Sequence, residues 1–159
     1  MATHPISGEN FSFRAATKTD ADTLTGLIRK YYEFDQIPFY EEEIRAGLAT
    51  FLGEPTQWRA WLIQQDQISV GYVILSMGVD LEVGGRLGTI TDLYLEPEWR
   101  GRGIGRKTLG FLEDFCREEG LEALELQVER DNTEAFALYQ SFGFHSHDRI
   151  PMSKRITAR

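Results

Sequence analysis

A short loop with a glycine at every second position constrains this chain more than any other feature. The loop is Arg100-Gly101-Arg102-Gly103-Ile104-Gly105. It follows a β-rich run, Leu87–Leu95, and leads into a segment with helical apolar spacing from about Gly103 to Glu119. Glycine permits left-handed backbone angles and lets the backbone approach a ligand closely. Because a helix N-terminus presents free N–H groups and a partial positive charge, the segment predicts an anion site.

Two common phosphate-binding motifs do not match this loop. A P-loop needs G-x-x-x-x-G-K-[ST], which the sequence lacks, and the dinucleotide fingerprint needs a glycine where Arg106 stands. Arg100, Arg102 and Arg106 supply cations that suit a doubly charged pyrophosphate. On local chemistry alone, the alternative is a tight strand-to-helix turn with solvated arginines.

Composition argues against several classes of partner. The chain has 159 residues, a net charge of −8 and 42% apolar residues, which suits one acidic globular domain. An acidic surface repels nucleic acid and anionic membranes, and it favours cationic partners such as amines. We see no signal peptide in the first ten residues and no apolar run of membrane-spanning length, so we expect a cytoplasmic protein.

Cysteine and histidine are too sparse to predict a metal centre. Cys116 is the single cysteine, and its helical spacing with Leu112 and Phe115 indicates a core position. His145 and His147 would share a strand face, but no third ligand stands nearby. We therefore expect exposed edge residues there and no metal.

Hydrophobic periodicity predicts the element order β, α, α, β, β, β, α, β, α, β. Strands are expected over Phe11–Ala15, Trp58–Gln64, Ile68–Met77, Leu87–Leu95 and Leu121–Glu129, with one or two more within Phe144–Ile156. Helices are expected around Leu24–Tyr31 and over Tyr40–Leu52, Gly103–Glu119 and Asn132–Phe142. This order predicts an α+β domain over residues 11–159, after a flexible arm of residues 1–10. Its central sheet would be mixed, mostly antiparallel, with six or seven strands and about four flanking helices.

The glycine loop and its surroundings resemble the GNAT family of N-acetyltransferases. The family pattern [Q/R]-x-x-G-x-[G/A] is matched by Arg100–Gly105, after a strand reading Ile90-Thr91-Asp92-Leu93-Tyr94-Leu95 and an aromatic at Trp99. Further along, the segment Asn132–Tyr139, followed by Gly143-Phe144, is similar to the family's second cofactor segment. The resemblance covers nearly the whole chain from Phe11 and implies a GNAT-like fold.

The resemblance implies that acetyl-CoA is the cosubstrate. Backbone groups of Leu93, Tyr94 and Leu95 would bind the pantetheine arm, and an N–H near Leu93 would polarise the thioester carbonyl. Asn132 would hydrogen-bond the pantetheine, with Ala135 packed beside it. The pyrophosphate would be held by the loop residues Arg100, Gly101, Arg102, Gly103, Ile104, Gly105 and Arg106.

Acetylation of an amine needs a proton acceptor and a proton donor. The resemblance implies that Tyr139, near the sulfur, is the general acid that protonates the departing thiolate. Some relatives use a carboxylate on the strand before the glycine loop as the base, but Thr91 stands at that position. Asp92 is therefore the candidate base, and the alternatives are water, Glu82, Glu33 and Asp35.

Aromatic and acidic residues between the first two helices suit a cationic amine. The predicted acceptor-binding residues are Tyr31, Glu33, Phe34 and Asp35, which offer cation–π contacts and ion pairing. The other interpretation of this set is an ordinary helix C-terminus with core aromatics. The expected function is acetyl transfer to a small-molecule amine or a peptide or protein amine. A non-catalytic acyl-CoA sensor on the same fold is the alternative, and the resemblance also allows a homodimer.

Overall fold

The β-rich runs of the sequence form a five-stranded sheet in the computed structural model, which describes residues 11–157. The strands are β1 (Phe11–Ala15), β2 (Trp58–Gln65), β3 (Ile68–Asp80), β4 (Gly85–Leu95) and β5 (Ala123–Leu126). They lie in chain order across the sheet, with β1 to β4 antiparallel and β5 parallel to β4. The predicted mixed, mostly antiparallel sheet is confirmed.

Four α-helices pack on the two faces of the sheet, as predicted. They are α1 (Ala21–Phe34), α2 (Glu41–Gly53), α3 (Ile104–Glu118) and α4 (Thr133–Ser141). Single turns of 3-10 helix, Lys18–Asp20 and Pro97–Trp99, precede α1 and the glycine loop. None of the helices within residues 11–157 is long and apolar enough to cross a bilayer.

The predicted strands in the C-terminal segment are absent from the described part of the chain, so the count of six or seven strands is wrong. Residues 144–157 form no strand, and the side chains of Ile150 and Met152 are 80% and 92% exposed. Their alternation indicates a strand, but a strand forms only where a neighbour accepts its hydrogen bonds and its apolar face is buried. The segment 1–10, predicted as a flexible arm, lies outside the described residues.

Period-2 alternation in the strands divides the core between the two faces of the sheet. In β2, Trp61 and Ile63 pack on the α3 and α4 face, whereas Leu62 packs on the α1 and α2 face. Cys116 is buried on the α3 face, which confirms its predicted core position, and burial raises the pKa of its thiol to about 11.

A β-bulge in β4 and the shortness of β5 together open the sheet at one end. Ile74 pairs with Asp92 and Leu75 pairs with Ile90, so Thr91 is the extra residue in β4. On its other side, β4 pairs with β5 only from Leu87 to Ile90. Beyond the bulge β4 continues to Leu95 with no strand beside it on that side. The opening between β4 and β5 is called the wedge below.

Candidate functional site

The backbone of β4 beyond its bulge faces the wedge at alternate residues. The N–H of Glu96 donates to the Val70 carbonyl of β3 at 2.9 Å. Because hydrogen bonding alternates along an antiparallel strand, Leu93 and Leu95 direct their backbone groups away from β3 and into the wedge. The Leu95 carbonyl accepts from Arg100 Nε at 2.9 Å, which agrees with that direction. Tyr94, between them, turns its backbone towards β3.

The glycine loop ends in an uncapped helix N-terminus. Gly101 and Gly103 have left-handed φ values of 72° and 77°, and Gly103 is the N-cap of α3. Lys107 is the residue whose N–H donates back to the Gly103 carbonyl, at 3.1 Å. The three N–H groups of residues 104–106 therefore have no carbonyl one turn earlier in the helix to accept from them. They form the donor set that the sequence predicts for an anion.

Gly105 has a different role, because it allows α3 to pack closely on α4. A Cβ at this position would lie 3.2 Å from Leu138 Cδ2, which is tighter than ordinary van der Waals contact. The glycines at alternate positions thus divide between a left-handed loop and a helix contact.

The three arginines of the loop each lie over an aromatic ring. The Arg100 guanidinium is 4.2 Å from the Phe34 ring centroid and that of Arg102 is 4.6 Å from Trp99. Arg106 lies 5.6 Å from the Phe142 ring and also donates to Ser141 Oγ at 2.9 Å. Stacking of this kind holds each guanidinium group against its ring. It was not expected from the sequence, because the rings come from α1, the 3-10 turn and the end of α4.

Tyr139 lies half-buried on α4, with its ring edge-on to Phe144 at 5.9 Å. It packs against the core cluster that also contacts Leu93 and Leu95. Burial raises the pKa of its phenol. No hydrogen bond joins its hydroxyl to another residue of the described chain, so the hydroxyl is available to a ligand.

Asn132 caps α4 with its side chain. Its Oδ1 accepts from the Ala135 N–H at 3.2 Å, which leaves Nδ2 as the donor that this side chain offers to a ligand. Ala135 lies one turn before Tyr139, so both share one helix face.

Asp92 lies on the α1 and α2 face of the sheet, among tyrosines. Tyr72 donates its hydroxyl proton to Asp92 Oδ2 at 2.8 Å. Burial raises the pKa of the Asp92 carboxyl, and the hydrogen bond from Tyr72 partly opposes that rise. Burial and the Asp92 charge raise the pKa values of Tyr31 and Tyr32. Tyr72 was not among the residues singled out in the sequence, because its position opposite β4 follows only from the strand register.

The predicted acceptor-binding residues differ in their surroundings: Tyr31 is half-buried, whereas Glu33 and Phe34 are exposed. The charges of Asp92 and Asp35 both act on the Tyr31 hydroxyl and help to raise its pKa. Phe34 is 59% exposed and contacts Arg100. Glu33 is exposed on α1. The alternative base Glu82 is exposed and forms an ion pair with Arg149 at 2.9 Å, in the connection between β3 and β4.

Within the described part of the chain, His145 and His147 do not join a metal-binding group. No set of three or more histidine, cysteine, aspartate or glutamate side chains in residues 11–157 is arranged to hold an ion.

The site thus combines a sheet that splits at a β-bulge with a glycine loop and an uncapped helix N-terminus. The chain belongs to the Acetyltransferase (GNAT) family, whose profile matches residues 23–144. The predicted family, the fold class and the enzyme class of N-acetyltransferase are confirmed by this match and by relatives with that activity in their names.

Individual relatives vary widely in similarity. An uncharacterized protein of Mycobacterium leprae is 50% identical over 157 residues, and the alignment covers 95% of this chain but 39% of that protein. This chain therefore spans well under half the length of that relative. A thialysine N-epsilon-acetyltransferase of Bos taurus is 28% identical, with 82% of this chain and 81% of that protein covered.

Solved structures show the same fold. An integron cassette protein from a salt-marsh metagenome matches with a TM-score of 0.81 at 26% identity, covering 92% of this chain and 91% of its own. An aminoglycoside N-acetyltransferase in complex with CoA matches with a TM-score of 0.77 at 15% identity, covering 94% and 97%.

Proposed function

We propose that this chain transfers the acetyl group of acetyl-CoA to a primary amine by direct attack in a ternary complex. The observation that carries the proposal is the wedge: β4 stops pairing with β5 at its bulge, and the glycine loop and α3 follow that same strand. The wedge suits a slim, extended arm, and the helix N-terminus suits its pyrophosphate. Named N-acetyltransferases among the relatives support this function.

The proposed donor site uses mainly backbone groups. Leu93 and Leu95 would hydrogen-bond the pantetheine arm as a neighbouring strand does, since their N–H and C=O groups face the wedge. The N–H groups of residues 104–106 would bind the pyrophosphate, and the stacked arginines would add positive charge. Asn132 Nδ2 would donate to the pantetheine beside Ala135.

The proposed reaction assigns separate tasks to Asp92, Leu93 and Tyr139. Asp92, directly or through water, accepts the proton that the acceptor ammonium loses. The amine nitrogen then forms a bond to the acetyl carbon, while the Leu93 N–H stabilises the developing oxyanion. As the carbon–sulfur bond breaks, Tyr139 gives its phenol proton to the thiolate. Tyr31, Glu33, Phe34 and Asp35 would form the acceptor side.

Ligand-dependent melting and thiol release test this function together. We expect coenzyme A to raise the melting temperature, because a ligand that binds only the folded state stabilises it, whereas ATP and NAD should have little effect. We also expect thiol release from acetyl-CoA in the presence of at least one amine of a panel of diamines, amino acids and lysine peptides. Tight coenzyme A binding with no turnover on any amine would favour the acyl-CoA sensor. Stabilisation by ATP or NAD alone would contradict both.

Gly103→Ala should weaken coenzyme A binding by changing the helix N-terminus. A Cβ at Gly103 meets no atom within 4 Å, so the penalty comes from the left-handed φ of 77° and amounts to about 1–2 kcal/mol. Relief of that strain would turn the first N–H groups of α3 away from the anion. Calorimetric titration with coenzyme A measures the loss.

Gly26→Ala is the matched control for this change. Gly26 lies exposed inside α1 with no atom within 4 Å of an added Cβ, so alanine should stabilise the helix by roughly 0.5–1 kcal/mol. Coenzyme A affinity should stay at the wild-type value there. Equal affinity in the Gly103→Ala protein would argue against the anion site.

A further inference from the structure

Asp92 is a half-buried carboxylate with no cationic partner in the described chain. Tyr72 from β3 donates to it, and its charge acts on the hydroxyls of Tyr31 and Tyr32 from α1. No ion pair within residues 11–157 includes it. A carboxylate withdrawn from water is costly unless a cation or several donors compensate it. This environment points to a positive charge that arrives with the ligand.

Tyr72, on the neighbouring strand β3, donates a hydrogen bond that fixes this carboxylate. Its side chain is fully buried in the cluster that α1 and α2 form with the sheet, and its ring lies 6.1 Å from that of Tyr94. A hydroxyl at such a depth needs a partner, and Asp92 Oδ2, at 2.8 Å, is the acceptor it has. Because the ring is fixed by packing, the hydrogen bond fixes the carboxylate as well. A carboxylate has about four acceptor sites, so others remain for an N–H donor.

We propose that Tyr72 is a positioning residue for the acceptor, which orients Asp92 and keeps it anionic so that it receives a primary alkylammonium group. This inference rests on the proposed function, since it assigns the Asp92 side of the sheet to the amine. Tyr31 and Tyr32, whose hydroxyls feel the Asp92 charge, would add cation–π attraction for an ammonium group. The site therefore selects the charged amine over an uncharged molecule of the same shape.

The pH dependence of amine binding follows from the same contacts. Burial raises the pKa of Asp92, and the Tyr72 hydrogen bond opposes that rise by stabilising the charged form. Removing the hydroxyl therefore raises the pKa of Asp92 further. On acidification, the variant therefore loses the Asp92 carboxylate at a higher pH than the wild type does. Its affinity for an ammonium ion falls at that same higher pH. Alkylammonium ions stay protonated at neutral and acidic pH. The loss of affinity on acidification is therefore set by Asp92 alone.

Tyr72→Phe tests the proposal in protein saturated with coenzyme A. The probe is pentylammonium, titrated by calorimetry between pH 5 and 8, with 1-pentanol as the uncharged comparison. We expect the wild type to bind pentylammonium, with an affinity that falls as the pH is lowered towards the pKa of Asp92. The variant should bind at least about tenfold more weakly near pH 6, as removal of a hydrogen bond to a charged group predicts. The pH at which the variant loses affinity for pentylammonium should be higher than in the wild type.

Two further variants separate positioning from loss of structure. Asp92→Asn keeps an oxygen that accepts from Tyr72 but removes the charge, and it should abolish the preference for pentylammonium over pentanol at every pH. Thr25→Val removes another buried hydroxyl, which donates to the Ala21 carbonyl at 2.7 Å, and it should leave the pH profile unmoved. Failure of coenzyme A to bind would overturn the proposed function itself. If coenzyme A binds, the inference alone is overturned by absent pentylammonium binding in wild type or by an unshifted Tyr72→Phe profile.

Discussion

Tyr139→Phe should lower the turnover number by about 10²–10⁴-fold, which is the usual contribution of a general acid. The change removes one oxygen and keeps the ring, so the edge-on contact with Phe144 at 5.9 Å should survive. Without the phenol proton the thiolate must leave as an anion in a partly apolar site. Thiol release under saturating acetyl-CoA and amine measures the effect.

Coenzyme A affinity and melting temperature provide the controls for Tyr139→Phe. Both should match the wild type, because no residue of the described chain is hydrogen-bonded to this hydroxyl. The pH dependence of wild-type turnover gives a second check on Tyr139 as the general acid. Since burial raises the pKa of Tyr139 above 10.0, the wild-type acid keeps its proton through the whole neutral range. A variant with wild-type turnover would show that solvent, and not Tyr139, protonates the thiolate.

Gly71→Ala should destabilise the fold more than any other alanine substitution of a glycine in β3. A Cβ there would lie 2.3 Å from the Tyr94 carbonyl oxygen, which belongs to the backbone of β4. The clash is relieved only if β3 and β4 separate next to Leu95, at the end of the β4 stretch that borders the wedge. We expect a loss of roughly 3 kcal/mol or more, at the upper end for overpacked sites. Thermal unfolding should show a melting temperature lower by roughly 6–12 °C.

Gly78→Ala in the same strand is the matched control. An added Cβ at Gly78 meets nothing within 4 Å, so the substitution should be neutral or slightly stabilising. A Gly71→Ala protein as stable as the Gly78→Ala protein would mean that β4 adjusts freely. The strand contact beside the wedge would then be looser than the structure indicates.

Local patterns in the sequence predict most of this fold, and packing between distant elements accounts for the rest. Alternation and helical spacing locate the strands and helices through α4 because each buries an apolar face. The same reasoning fails for residues 144–157, where an alternating pattern has no neighbouring strand to pair with. The strand predicted over Leu121–Glu129 is also shorter, Ala123–Leu126, because its pairing with β4 ends at the bulge.

The candidate site likewise combines local features, which the sequence predicts, with contacts between distant residues, which it does not. Glycine spacing and the following helix predict the anion-binding loop, since left-handed turns and helix N-termini are local features. The Tyr72–Asp92 hydrogen bond and the stacking of Arg100 on Phe34 join residues far apart in the chain. Such contacts depend on strand register and on where α1 ends, which one sequence does not specify.

The unpaired edge of β4 also bears on self-association. An open strand edge is normally a template for strands of other molecules, and it invites aggregation. Here the pairing of Leu87–Ile90 with β5 closes one end of the wedge, and Tyr139 packs against the same core as Leu93. We expect an edge that is paired at one end and lies near α4 to be a poor template for a strand of another molecule. The surroundings of the unpaired β4 backbone should thereby limit misdirected β-pairing.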